Sequence, residues 1–211
     1  MKILSINIGQ PETVQWKGKS IRTSIFKSPV KGPKRVSSLN IEGDGQADLR
    51  FHGGVNKAIY SYDSSYYTAW KTTLPTVDWS AGMFGENLTT EGLPDHQVQI
   101  GNVYQAGTLI FQAIQPRIPC FKLNLRFQRD DLLSLFYEKK CYGIYFKVIQ
   151  EGIIEAGDNI QLLETSTYHC SISDIVQSFV SKGEDQLLLN KILNIPLLPK
   201  GIRQNLSKYK Q

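Results

Sequence analysis

Thr108-Leu109-Ile110-Phe111-Gln112-Ala113-Ile114 runs directly into Gln115-Pro116-Arg117-Ile118-Pro119-Cys120-Phe121-Lys122-Leu123. The first seven residues carry strand-preferring side chains and predict a β-strand. Two prolines then stiffen the approach to Cys120, each fixing its own φ and restricting the residue before it. Residues 120–127 read as helical, which sets the sulfur near a helix N-terminus, where the backbone dipole favours a thiolate. Arg117 and Lys122 act in the same direction. A thiolate on a stiff loop is a nucleophile or a soft-metal ligand. The ordinary alternative is a half-buried core thiol following an apolar strand.

Working outward, residues 2–9, 20–27, 57–63, 87–90, 98–103, 142–150 and 160–163 are further strand candidates, separated by glycine, proline and asparagine turn signals. Many short strands with frequent turns predict a mainly β fold, a barrel or a sandwich, and not alternating βαβ units. Two helices interrupt. Ser64-Ser65 is expected to cap residues 66–72, with Tyr66 and Trp70 on one face. Asp130-Asp131 opens a helix carrying Leu132, Leu133 and Phe136, and Lys139-Lys140 closes it. The composition changes after residue 165. Ser171 or Ser173 caps a helix with Ile175, Val176, Phe179 and Val180, stopped by Gly183; residues 187–193 and 199–209 supply two more. The expected organisation is a β domain over 1–165 and a compact three-helix appendage over 166–211.

The chain has 211 residues, 41% of them hydrophobic and 20% charged, enough for a sizeable core. Its three cysteines and three histidines form no CxxC pair and no metal-ligand spacing. That usage fits a reducing compartment. The apolar run at the start is too short for a signal peptide, and no stretch approaches a membrane span, so a cytoplasmic protein without a membrane partner is expected. The net charge of +5 is uneven: residues 16–35 hold seven basic side chains and no acid. Such a run is a solvated strand face or loop, or it attracts an anion such as a nucleotide or a phosphorylated cofactor. Nucleic acid is not an expected partner, because no recognition motif accompanies the run.

Two polar segments contain glycine. The first is Gly43-Asp44-Gly45-Gln46-Ala47-Asp48-Leu49-Arg50-Phe51-His52-Gly53-Gly54-Val55-Asn56-Lys57. It lacks the Gly-Lys-Ser/Thr ending of a P-loop and the Gly-x-Gly-x-x-Gly of a dinucleotide fold. It supplies acid, base and charge through Asp44, Asp48, His52 and Lys57, or it is a long hairpin loop with turn chemistry. The second is Phe84-Gly85-Glu86-Asn87-Leu88, a turn into a strand or an amide aimed at a ligand. Cys141 reads as a core thiol. His169 and Cys170 are adjacent, so on a strand they face opposite ways.

Taken together, Thr23-Ser24-Ile25-Phe26-Lys27-Ser28-Pro29-Val30, the 43–57 segment, Phe84-Gly85-Glu86-Asn87-Leu88-Thr89, the Cys120 loop and Gly157-Asp158 resemble stand-alone MOSC-domain proteins of the YiiM type, in the family's order. The resemblance implies a MOSC β-barrel-like domain with short helices, a small C-terminal helical appendage and binding of the molybdenum cofactor (molybdopterin). It implies Cys120 as the molybdenum ligand. Lys27, His52, Lys57 and Arg117 are candidates for the cofactor's phosphate and pterin, and Asn87 for a hydrogen bond to the pterin. Asp48 or His52 would deliver a proton to the leaving hydroxyl. Pyridoxal phosphate binding is attributed to the family at large, and no residue here is assigned to it. The chain departs from the family pattern at Gly101-Asn102, where Gly-Asp is usual. It departs again at Lys140-Cys141-Tyr142-Gly143-Ile144-Tyr145 and Lys147, where Gly-x-Cys-Gly-Trp-Tyr and a following Arg are usual.

The function so implied is molybdenum-dependent reduction of small N-hydroxylated compounds, such as hydroxylaminopurine base analogues, in detoxification, with an electron-donating reductase as partner. The reading from another class is a carrier in which Cys120 holds a persulfide or hands on the cofactor. The oligomeric state is left open, a homodimer being the assembly considered.

Overall fold

The computed structural model describes residues 1–48 and 53–211. Along the chain run β1 (Lys2–Ile8), β2 (Glu12–Trp16), β3 (Lys19–Thr23), β4 (Ser28–Val30), β5 (Lys34–Val36), a 3₁₀ turn (Val55–Lys57), β6 (Ile59–Asp63), α1 (Ser64–Thr73), β7 (Leu88–Glu91), β8 (Val103–Ala106) and β9 (Leu109–Pro116). Then follow α2 (Lys122–Phe127), α3 (Leu132–Lys139), β10 (Ile144–Gln150), β11 (Gly152–Ile154), β12 (Ile160–Glu164), α4 (Ile172–Val180), α5 (Gln186–Leu193) and α6 (Lys200–Ser207). None of the described helices is long and apolar enough to cross a membrane.

Eight strands form one sheet in the order β12-β8-β9-β10-β6-β7-β1-β4. The β6–β7 pairing is parallel, reached by a crossover through α1, whereas the other pairings in the sheet are antiparallel. The start of β1 meets the approach to β12: Lys2 bridges Asn159, and Ile160 N donates to Met1 O at 2.8 Å. The sheet therefore curls back on itself. No ladder among the described residues closes it, so the expected barrel-like domain is a curled, sheet-dominated mixed fold and not a closed barrel.

Burial explains this arrangement. All five residues of β6 are buried. Successive side chains of a strand point to opposite faces. Ile59 accordingly joins a core with Ile3, Phe111 and Phe146, while Tyr60 and Tyr62 join an aromatic cluster around Trp70, Phe84 and Phe136. Trp70 Nε1 satisfies itself on Tyr62 OH at 2.8 Å. The C-terminal helices belong to the first core through Ile172, Ile175, Leu189, Ile192, Ile202 and Leu206. Ser171 caps α4 with a full capping box, its hydroxyl accepting from Asp174 N and the Asp174 carboxylate accepting from Ser171 N.

Several expectations are corrected. Of the strand expected over 98–103 only Val103 is in one, as the start of β8. Residues 98–102 are a turn with a single bridge, Gln99 to Ser171, because their backbone bonds go to the lead into α4 (Ile172 N to Val98 O, Ile100 N to Cys170 O) and Gly101 holds a φ of 95°. The strand expected over 20–27 stops at Thr23. Before it lies an unforeseen partner, β2, joined by a Lys17-Gly18 turn with both φ positive, as a two-residue hairpin of type I′ demands. Helix α1 is capped by Asp63, which accepts from Ser65 N at 3.0 Å, and not by a serine. Lys57 sits in the 3₁₀ turn before β6.

The turn into β7 is organised by Glu86, which is fully buried. Its carboxylate accepts from Gly82 N (2.8 Å), Phe84 N (3.0 Å), Thr89 Oγ1 (2.9 Å) and Tyr67 OH. Burial pushes its pKa up, against the pull of these donors. Glu86→Ala would strand four donors in the interior. A loss of about 3 kcal/mol is expected in urea denaturation, and a loss under about 1 kcal/mol would contradict this role for the carboxylate.

Candidate functional site

After β3 the chain leaves the sheet, and residues 24–27 form a loop held by close backbone contact. A Cβ on Gly9 would lie 2.6 Å from Phe26 O, and one on Gly82, whose φ is 88°, would lie 2.8 Å from Lys27 O. Glycine is required at both places. The clamp carries Lys27 inward to 7% exposure. There its ammonium pairs with Asp44, itself 8% exposed. Asp44 Oδ1 also accepts from Gly9 N at 2.9 Å, and Oδ2 accepts from Asn87 Nδ2 at 2.9 Å. Asn87 Oδ1 in turn accepts from Tyr60 N at 3.1 Å. Burial pulls the Lys27 pKa down, and Asp44 opposes it.

Arg117 follows the end of β9, its backbone N–H donating to Gly143 O at 3.2 Å. The side chain is 5% exposed, with the guanidinium carbon 5.1 Å from the centroid of the Tyr60 ring. Burial disfavours its charge, while Tyr60, Tyr145 and Cys120 beside it hold the pKa above the ordinary value. Among the described residues, the buried Nε and Nη1 have no hydrogen-bond partner, and neither has the Ser24 hydroxyl. Buried donors are almost always satisfied, and an unmet one costs about 1–3 kcal/mol. Unspent donors in a cleft are therefore places for a ligand's acceptors.

These groups line one groove. The inner cleft, about 550 Å³ including its open mouth, is walled by Ser24, Lys27, Asp44, Tyr60, Asn87 and Arg117. The outer cleft, about 1910 Å³, contains Cys120 and is bounded on its far side by Phe179 of α4 and by Lys200, Ile202 and Asn205 of α6. Asp48, Lys57, Lys122 and Tyr145 line both. Lys57 Nζ lies 5.9 Å from the Tyr145 ring centroid, and burial lowers its pKa. Cys120 is half-buried and two residues ahead of α2.

Of the residues singled out from sequence, Lys27, Asp48, Lys57, Asn87 and Arg117 line the inner cleft and Cys120 the outer one. The side chain of Asn87 is engaged by Asp44 and Tyr60. His52 lies outside the described residues. Among the seven basic residues of 16–35, Lys27 lines the cleft, whereas Lys17 pairs with Asp130 at the surface. Cys141 and Cys170 have thiols pushed up to about 12 by burial, as core thiols should. Ser24, Asp44, Tyr60, Tyr145 and Lys122 were not among the sequence candidates for binding. Of these, Asp44 reads from sequence as an acid of the glycine-rich segment without a binding role, and the two tyrosines stand on expected strands, β6 and β10. Among the described residues, no group of three or more His, Cys, Asp or Glu side chains is placed to hold a metal ion.

The MOSC domain family model matches residues 48–161. The chain is 34% identical to the protein YflK of Bacillus subtilis over 208 residues, covering 99% of this chain and 94% of that one. It is 30% identical over 183 residues to a protein of Gibberella moniliformis named as a reductase, covering 85% of this chain but 32% of that much longer one. The crystal structure of YiiM from Geobacillus stearothermophilus superposes with a TM-score of 0.84 at 32% identity, covering 100% of this chain and 99% of that one. With the family model spanning more than half of its length and near-complete relatives in sequence and in structure, the chain belongs to the MOSC-domain family and is of the YiiM type.

Proposed function

We propose that this chain binds the molybdenum cofactor in the inner cleft, with Cys120 as ligand to the metal, and reduces small N-hydroxylated compounds such as hydroxylaminopurine bases. Electrons come from a partner reductase, in a reducing compartment such as the cytoplasm. The observation that carries this reading is the buried Arg117 guanidinium with two unspent nitrogens, in a groove continuous with the cleft that holds Cys120. Membership of the MOSC family and a reductase-named relative support it.

The donor set fits the group. A pterin bearing a phosphate is anionic and rich in acceptors; Arg117, Ser24, Lys27 and the rim cations Lys57 and Lys122 offer charge and N–H or O–H donors. Asn87 acts through Asp44, which holds Lys27 in place. One thiolate, Cys120, is a soft ligand suited to a metal that arrives already chelated by its cofactor. When bound, that group supplies the two-electron redox chemistry the side chains lack.

The balance is R–NHOH + 2 e⁻ + 2 H⁺ → R–NH₂ + H₂O: an N–O bond breaks, an N–H bond forms, and the hydroxyl leaves as water. The chain's part is to hold the substrate at the Cys120 end of the groove and to protonate the leaving oxygen. Asp48, half-buried where the two clefts join, is our candidate for that proton, with His52 the alternative offered by the sequence alone.

Three outcomes are expected. Cys120→Ala purified from a cofactor-competent host should fold normally and lose molybdenum by elemental analysis; wild-type metal content in the variant would overturn the ligand assignment. Absence of metal from the wild type, beside a loaded control enzyme, would favour the carrier reading. Arg117→Met should lower molybdenum content about tenfold or more, while its thermal midpoint without cofactor holds or rises, because the substitution removes a buried charge with unmet donors. Undiminished metal would count against the anion role. Asp48→Asn should cut kcat about 100-fold with KM little changed; an unaltered kcat would remove Asp48 from the proton path.

A further inference from the structure

The outer cleft does not end at Ile118 and Phe179. Ile118 and Phe179, which line it, also line a neighbouring cavity of about 760 Å³. Tyr142 and Val176, 1% and 2% exposed, are the buried part of its wall. Tyr137 of α3, Val180 of α4 and Tyr209 near the C-terminus are the more exposed part. Every lining side chain is aliphatic or aromatic and none carries a charge. Such a lining rewards an apolar guest and gives nothing to an anion.

The wall is preorganised. Tyr142 N donates to Asp95 at 2.9 Å, its carbonyl accepts from Tyr60 OH at 3.0 Å, and its hydroxyl donates to Tyr137 O at 3.3 Å. The phenol is thus satisfied by the protein, which leaves its ring for contact. The Tyr137 and Tyr142 rings stand edge-on, with centroids 6.1 Å apart. Tyr142 also stands in the segment that departs from the family pattern, where a cysteine is usual. Ile118 is two residues before Cys120, so their Cα atoms are at most about 7 Å apart. A molecule the size of a substituted benzene can touch both.

We infer that this side pocket receives the apolar end of the substrate, so that among N-hydroxylated compounds the chain prefers those carrying a hydrophobic substituent. The inference rests on the redox reading above for the reactive end of the molecule and on the shared Ile118 and Phe179 lining for the other. The titration below needs neither cofactor nor turnover.

The test is calorimetric titration of the full chain with two amides that cannot be reduced, benzamide and 4-butylbenzamide. The butyl compound should bind about tenfold tighter or more, and the difference should vanish in Val180→Asp and in Tyr137→Ser, two substitutions at positions 40% and 39% exposed. Equal affinity of the two amides for the wild type, or an unchanged preference in both folded variants, would overturn the inference. With loaded protein, 4-butylbenzamidoxime should show a lower KM than benzamidoxime in the wild type alone, while reduction of hydroxylamine, too small to span both places, is the same in all three proteins. Loaded protein that reduces none of these would end the redox reading, and the amide titration would still decide the pocket.

Discussion

The Asp44 carboxylate is the constraint on which the site is assembled. It gathers the backbone of Gly9 from the end of β1, the ammonium of Lys27 from the loop after β3, and the amide of Asn87 from the turn before β7. Removing a charge pair from water costs several kcal/mol per ion unless the remaining lone pairs are used. Here they are used, and three distant stretches of chain are thereby fixed relative to one another. Among the described residues, Nε and Nη1 of Arg117 have no such complement. Its ring partner Tyr60 is positioned by the same amide, since Asn87 Oδ1 accepts from Tyr60 N. One network therefore sets both the satisfied cation and the unsatisfied one.

The two cations stand for opposing demands. Stability favours giving every buried polar group a partner, as with the Lys27 ammonium and the Glu86 carboxylate. Binding favours leaving donors open, as with Arg117 and Ser24. Sites that break the rule of satisfaction are where function is concentrated. The strands make this possible: β6 gives Ile59 to the core and Tyr60 and Tyr62 to the aromatic cluster, so a packed layer backs the groove on the side away from its mouth.

Much of this could be read along the chain, and the failures have physical causes. Strands β1, β6, β9 and β10 were visible because burial imposes a period or a continuous apolar run on them. Strand β2 was not, because it is short and largely exposed, with only Val14 and Trp16 partly buried. Residues 98–102 look like a strand by composition, but Val98 and Ile100 bond to residues some seventy positions away in sequence. The site followed the same division. Cys120, Arg117 and Lys27 were conspicuous as residue types in stiff or basic segments. Ser24 and Asp44 matter through what they do or do not touch, and neither hydrogen-bond vacancy nor a salt-bridge partner is written in a linear pattern.

The seam between the two ends of the sheet carries a consequence for synthesis. Strand β1 is made long before some of its partners: Ile3 bonds to Gly157 and Asp158, and Met1 to Ile160. The core it enters also needs Leu189, Ile192 and Leu206. At about 5–20 residues per second, translation leaves β1 waiting on the order of ten seconds with that end unpaired. Long-range pairing of this kind folds slowly and exposes strand edges meanwhile. The fold therefore cannot close in the order in which its strands are made, and a ribosome stalled before residue 160 would carry a chain whose strand β1 still lacks its seam.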